Sequence, residues 1–271
     1  MARNPQTGYN AGVPPDIFLY VVVGLFGAMI GSFLNVCIHR LPRQESIIWP
    51  SSRCPACSGR IAPYDNIPIV SFLLLRGRCR ACRAPIPFRY PLVEAANGLG
   101  YLLIVQQFGP GWPAAAYALF FSALLVVTFI DFDHQIIPDR ITLPGIPLGV
   151  LCAATVLPTG LLNSVLGLLL GGGLLWFMAW ISPYLFGKEG MGGGDIKLLS
   201  MVGAFLGWEP VLLTVMVGAS VGAVTGLFLI ALKWLRRDQY LPFGPFLALG
   251  AVVAMFFFND LKAWYVSLLI P

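Results

Sequence analysis

Charge is what this 271-residue chain has least of: Asp, Glu, Lys and Arg make up 11% of it, and it contains two histidines. A soluble domain carries about a quarter charged residues, so composition argues against a water-soluble single domain. With 58% hydrophobic residues, much of the surface is expected to face lipid, and there is room for about seven or eight spanning helices of ~20 residues. The first apolar run lacks an A-x-A-like cleavage site and is longer than a signal-peptide core, so it is expected to be retained. No convincing short-period repeat stands out, and the glycine-rich fingerprint of soluble nucleotide-binding enzymes is missing. The net charge of +5 speaks of membrane topology before nucleic acid, and no nucleic-acid partner is expected.

What is present is sorted. Apolar stretches run over 16–38, 91–108, 113–130, 141–158, 161–182, 196–207, 209–232 and 243–270. The fold class expected is therefore all-α: a polytopic bundle of about eight transmembrane helices in a lipid bilayer, with one small soluble loop domain. Its parts are a disordered tail (1–15), a first span (16–38), a cytoplasmic loop (39–90) and a transmembrane domain (91–271). The loops near 109–112 and 159–160 are uncharged, whereas 39–90, 131–140, 183–195 and 233–242 hold nearly all the ionisable groups. The positive-inside rule puts the second set in the cytoplasm. Glycines at 167, 171, 172, 173, 218, 222 and 226 read as close-packing positions between spans.

The loop 39–90 contains Cys54-Pro55-Ala56-Cys57 and Cys79-Arg80-Ala81-Cys82. Two such knuckles supply four thiolates for a tetrahedral zinc site, Cys54, Cys57, Cys79 and Cys82. Four protein ligands leave no position for a catalytic water, so the zinc is structural. A loop of this size has too little apolar content to build a core, which a metal staple would replace. Its arginines, including Arg53, Arg60, Arg76 and Arg83, suit either anionic headgroups or substrate docking.

Carboxylates at the ends of spans are the expected chemistry, because desolvating such a group is costly and its presence there is a functional hypothesis by default. Asp131 follows one span within Asp131-Phe132-Asp133-His134, and Asp195 precedes another within Gly192-Gly193-Gly194-Asp195-Ile196-Lys197. Two aspartates brought together at a partly dry boundary have their pKa values pushed apart, as aspartyl proteolysis requires. On a continuing helix Asp131 and Asp133 point about 200° apart, so one of them at most faces Asp195. Asp131, nearer the span, is the candidate. Lys197 is a candidate for holding local negative charge or for snorkelling to headgroups. Asn35, Asn97 and Gln106 suit interhelical hydrogen bonds more than substrate binding.

In order along the chain come Gly31-Ser32-Phe33-Leu34-Asn35-Val36, Arg40-Leu41-Pro42, the paired CxxC loop with Asp65-Asn66-Ile67-Pro68 and Arg76-Gly77-Arg78-Cys79, and Arg89-Tyr90-Pro91-Leu92-Val93-Glu94. The Asp131 segment, Gly192–Lys197 and Pro242-Phe243-Gly244-Pro245 follow. This series resembles the bacterial type IV prepilin peptidases, bifunctional leader peptidases and N-methyltransferases, from about residue 24 onward. Gly192–Asp195 also fits the GxGD class of intramembrane aspartyl proteases. The resemblance implies catalytic aspartates at Asp131 and Asp195, prepilin and pseudopilin substrates cut after a glycine on the cytoplasmic side, and a multi-pass protein of the bacterial inner membrane. It further implies methylation of the new N-terminal residue, usually phenylalanine, with S-adenosylmethionine as donor. The cysteine loop is typical of the bifunctional members. Donor or substrate contacts would lie around Gly77 and at Glu94, with Lys197 a further candidate. The competing readings are a cleavage-only peptidase, an ion-coupled transporter using the boundary acids, and a zinc-stabilised scaffold.

Overall fold

The computed structural model describes residues 17–49, 51–187, 192–234 and 241–269; the tail expected to be disordered lies outside these. Among the described residues nine α-helices carry the fold: α1 (Ile17–Arg40), α2 (Val70–Leu74), α3 (Arg89–Phe108), α4 (Trp112–His134), α5 (Asp139–Thr155), α6 (Leu161–Phe186), α7 (Gly193–Leu206), α8 (Trp208–Ala231) and α9 (Gly244–Leu269). Every apolar stretch in the sequence has become a helix. Five helices, α1, α4, α6, α8 and α9, are long and apolar enough to cross a bilayer. The expected eight spans are thus not all met on this measure. α7, with 14 residues, extends about 21 Å at 1.5 Å per residue, short of a ~30 Å hydrocarbon core.

Outward faces are apolar and inward ones contain the polar groups, the reverse of a soluble protein. Phe18, Leu25 and Met29 of α1, Leu162 and Leu169 of α6, and Val224 and Leu227 of α8 are all exposed. Asn97, Thr142, Ser164 and Thr214 are fully buried. In a lipid solvent this is the favourable sorting, since buried polar groups find partners that hydrocarbon cannot offer.

The helices form two compact units, Met1–Val126 and Val127–Pro271, divided within α4. In the first, α1 and α3 close to backbone contact: a Cβ at Gly31 would lie 2.7 Å from the Glu94 Cα. Asn97 donates to the Gly27 carbonyl at 2.7 Å and accepts from Ser122 at 2.9 Å, linking α1, α3 and α4. Asn35 donates to the Tyr90 carbonyl at 3.1 Å. Both asparagines therefore serve as interhelical ties, and Gln106 is exposed.

In the second unit α7 is the hub. Residues 198–205 are all buried, with Met201 against Gly145 and Phe205 against Gly149 of α5. Ser164 of α6 donates to the Ala204 carbonyl at 2.6 Å. A Cβ at Gly167 would sit 2.5 Å from the Gly203 carbonyl oxygen, so α6 and α7 meet backbone to backbone. A Cβ at Gly218 of α8 would lie 2.9 Å from the Phe246 carbonyl oxygen of α9.

The soluble loop of the first unit repeats one small structure. The Cys54 amide bonds the Gly59 carbonyl (2.9 Å) and the Ser58 amide the Cys54 carbonyl (2.8 Å); the Cys79 amide bonds Ala84 (2.9 Å) and the Arg83 amide Cys79 (3.0 Å). Isolated bridges close both turns, Arg53 with Arg60 and Arg78 with Pro85. The pattern Arg-Cys-x-Ala-Cys, starting at Arg53 and again at Arg78, is thus a structural duplication. Two copies were too few to register as a repeat.

Candidate active site and metal centre

α4 runs on past its apolar core to His134, so the helical geometry separates the acids of its last turns. Asp131 is 5% exposed, while Asp133 faces outward. The Asp131 carboxylate accepts a hydrogen bond from the Gly244 amide, N to Oδ2 3.0 Å. Gly244 is the first residue of α9, where amides have no intrahelical partner and the helix dipole favours negative charge. A Cβ at Gly244 would fall 2.6 Å from Asp131 Oδ2, so the amide reaches the carboxylate only because residue 244 lacks a side chain.

Asp195 occupies the first turn of α7. Burial first, then the charge of Asp131, push its carboxyl up to about 6, against the opposing pull of the Gly192 amide that donates to it. Desolvation therefore outweighs the favourable helix terminus. The two aspartates, on different helices of one unit, lie close enough for the charge of one to be felt by the other. Ile137 packs between the flanking glycines, its Cβ 2.9 Å from a Cβ built at Gly194 and its Cδ1 3.2 Å from one built at Gly244. Among the described residues nothing lies within 4 Å of a Cβ built at Gly193, two residues before Asp195. Lys197 does not reach either aspartate of the pair by a direct ion pair; its Nζ contacts Asp139 Oδ1 and Oδ2 at 2.7 and 2.9 Å, joining the first turns of α7 and α5.

In the first unit the sulfurs of Cys54, Cys57, Cys79 and Cys82 all lie within 4.8 Å of one another, and Cys54 and Cys82 are 3.8 Å apart. A tetrahedron of thiolates about 2.3 Å from zinc has S–S edges of about 3.8 Å, so the cluster fits that ion. All six cysteines are free of disulfides. Asp65 grips Arg80 through a fork at 2.6 and 2.8 Å, which holds its carboxyl below the usual range and pins the Pro63–Asn66 turn to the second knuckle. Gly77 adopts φ 66° beneath the Phe72 ring, 3.1 Å from a built Cβ. Glu94 is 7% exposed and accepts from the Ile69 amide at 2.7 Å.

Asp139 reads from the sequence as a solvated or locally hydrogen-bonding loop acid, and Gly244 as one residue of the Pro242-Phe243-Gly244-Pro245 motif. Neither partnership was visible along the chain, because each partner lies on a different helix.

The fold and these residues define a multi-pass helical membrane protein with two interacting aspartates at helix ends and a four-cysteine cluster suited to zinc. The chain belongs to the bacterial type IV leader peptidase family. Residues 25–108 match the bacterial peptidase A24 N-terminal domain, and residues 118–227 match the type IV leader peptidase family. The chain is 38% identical to the prepilin leader peptidase/N-methyltransferase of Aeromonas hydrophila, covering 92% of this chain and 94% of that one. It is 38% identical to the protein of that name from Stutzerimonas stutzeri (90% and 92% covered) and 36% identical to that from Pseudomonas aeruginosa (97% and 98%). No solved structure matches.

Proposed function

We propose that this protein removes the leader of prepilins and pseudopilins with Asp131 and Asp195 and then N-methylates the new N-terminal residue. What supports the cleavage reading is that a buried Asp131 at the end of α4 and a half-buried Asp195 in the first turn of α7 flank Ile137, which packs against both Gly194 and Gly244, in a chain whose relatives are named as prepilin leader peptidases. Asp131, receiving the Gly244 amide, is suited to be the carboxylate, and Asp195, with its raised pKa, the acid. The pair titrates as a unit. Asp131 takes a proton from water as its oxygen adds to the scissile carbonyl carbon, while Asp195 gives its proton to the carbonyl oxygen. Collapse of the resulting gem-diol breaks the C–N bond, the proton on Asp131 passing to the departing amine and a diol proton returning to Asp195. One water is consumed and a free α-amine is released.

Methylation rests on the relatives' names and on the cysteine loop that the resemblance links to it. S-adenosylmethionine would supply an electrophilic methyl group to that amine. Cys54, Cys57, Cys79 and Cys82 would hold a structural zinc; Glu94 and Gly77 belong to the same unit, and Lys197 is assigned to orienting the α5–α7 ends. The positive-inside distribution supports a bacterial inner-membrane protein with the aspartates facing the cytoplasm. The test is reconstitution with a prepilin, followed by mass spectrometry of the product. Leader removal and a 14 Da methyl addition, roughly the mass of CH₂, are expected with wild type. Asp131→Asn and Asp195→Asn should each abolish cleavage; full cleavage by either would refute the dyad.

A further inference from the structure

α2 lies in the loop expected to be soluble, yet its polarity is reversed for water. Val70, Leu73 and Leu74 stand at i, i+3 and i+4, one face of a helix. All three are exposed, Leu73 by 68% and Leu74 by 78%. The polar side is turned inward. Ser71 is buried, its hydroxyl donating to the Tyr64 carbonyl at 2.9 Å and accepting from the Ile67 amide at 3.0 Å. Ser71, Phe72 and Leu75 line a cavity of about 560 Å³, and the three outward residues have no part in that lining. Phe88, exposed at the start of α3, has its ring centroid 6.2 Å from that of Phe72.

The depth of this face follows from the helices that hold it. α1 and α3 run antiparallel, with Gly27 against Gly98, Gly31 against Glu94, and Asn35 bonded to the Tyr90 carbonyl. The Ile69 amide, one residue before α2, donates to Glu94 Oε2 at 2.7 Å. Ile69 makes this bond at φ 61°, which a β-branched residue seldom adopts, and such strain persists only where surrounding structure fixes it. From Gly31, level with Glu94, α1 runs on to Arg40, about 14 Å further at 1.5 Å per residue. No charged side chain occurs in α1 before His39 and Arg40. α2 therefore begins alongside the apolar span, not beyond its end. Basic groups stand next to it. Arg76 and Arg78 follow α2 and are exposed, while Asp65, the sole acid between Ser46 and Val93, is bonded to Arg80. Juxtamembrane arginines are drawn to anionic headgroups, and an amphipathic helix at that depth lies in the interface with its apolar face toward the acyl chains.

We propose that α2 is an interfacial helix. Val70, Leu73 and Leu74 enter the acyl region of the leaflet on the loop's side, and Arg76 and Arg78 take the phosphates of anionic headgroups. The partner is the lipid surface itself. The loop is thus moored to the bilayer at its middle as well as at its two ends, which keeps the second cysteine knuckle, starting at Cys79, near headgroup level. The inference holds whichever reaction the protein performs.

The test is photolabelling of full-length wild type in lipid nanodiscs holding one copy each, with no prepilin present. The probe is a phospholipid with a diazirine in the upper acyl chain, in discs containing phosphatidylglycerol, and mass spectrometry maps the adducts. Adducts on residues 70–74 are expected together with those on the exposed face of α1. Labelling of α1 with none on residues 70–74 overturns the proposal. Replacing phosphatidylglycerol by phosphatidylcholine should lower labelling of 70–74 by about threefold or more and leave α1 unchanged. Equal labelling in the two lipids overturns the role of Arg76 and Arg78. Loss of the label at 70–74 on adding a prepilin, or on loading two copies per disc, overturns lipid as the occupant and gives the face to that partner.

Discussion

Replacing Gly244 by alanine would put a Cβ 2.6 Å from Asp131 Oδ2 and 3.2 Å from both Asp131 Cγ and Ile137 Cδ1. Ordinary carbon contacts begin near ~3.5 Å, so the closest pair overlaps by several tenths of an ångström. α9 cannot simply retreat, because Gly250 meets the Thr214 carbonyl and Gly218 meets the Phe246 carbonyl along the same helix pair. The displacement therefore falls on the Asp131 carboxylate, which has only a short side chain with which to move. Overpacking of this kind costs about 1–3 kcal/mol. Spent on misplacing the carboxylate proposed to act in cleavage, that corresponds to a loss of about 5- to 150-fold in kcat/KM. The amide of residue 244 survives the substitution, so the loss reports geometry rather than a missing donor. The assay is the initial rate of leader removal from a reconstituted prepilin, with methylation of a pre-cut substrate measured beside it. Methylation should stay within twofold of wild type, on the order of experimental scatter for surface changes. Wild-type cleavage by a folded Gly244→Ala protein would refute the claim that this glycine seats Asp131.

Two other outcomes follow from the same geometry. Because the Asp195 carboxyl is raised to about 6 from 3.8, its acid form is lost as pH rises through about 6. The kcat/KM profile for cleavage should show the pair's alkaline limb there, not near 4, and a limb below pH 5 would refute a dyad that keeps one carboxyl protonated near pH 6. Cys54→Ser or Cys79→Ser should release zinc, loosen residues 49–90 to proteolysis and depress methylation more than cleavage; metal analysis finding no zinc in purified wild type would remove the premise.

Much of the candidate site could be read along the chain because its residues are rare and sit at helix ends. With so few charges, an aspartate beside an apolar run stood out, and the helical turn of about 100° per residue already separated Asp131 from Asp133. The structure keeps that separation, with the helix continuing to His134. The two CxxC pairs were legible for a similar reason, since ligand spacing within a knuckle is a local property. Span count was less legible. Apolarity marks what is buried as well as what faces lipid, and the apolar residues 198–205 of α7 are wrapped by neighbouring helices.

By itself, the sequence determined the helical class, the membrane as solvent, the four thiols and the two acids, because each depends on composition or on spacing within one segment. The tertiary structure alone decided which groups meet. It set the Gly244 amide on Asp131, Lys197 on Asp139, and Glu94 on the strained amide of Ile69 beside a cavity. These partners are 113, 58 and 25 residues apart. Their meeting depends on glycine seams that let helices approach to backbone contact, and a seam acquires its meaning only when the opposite helix is in place.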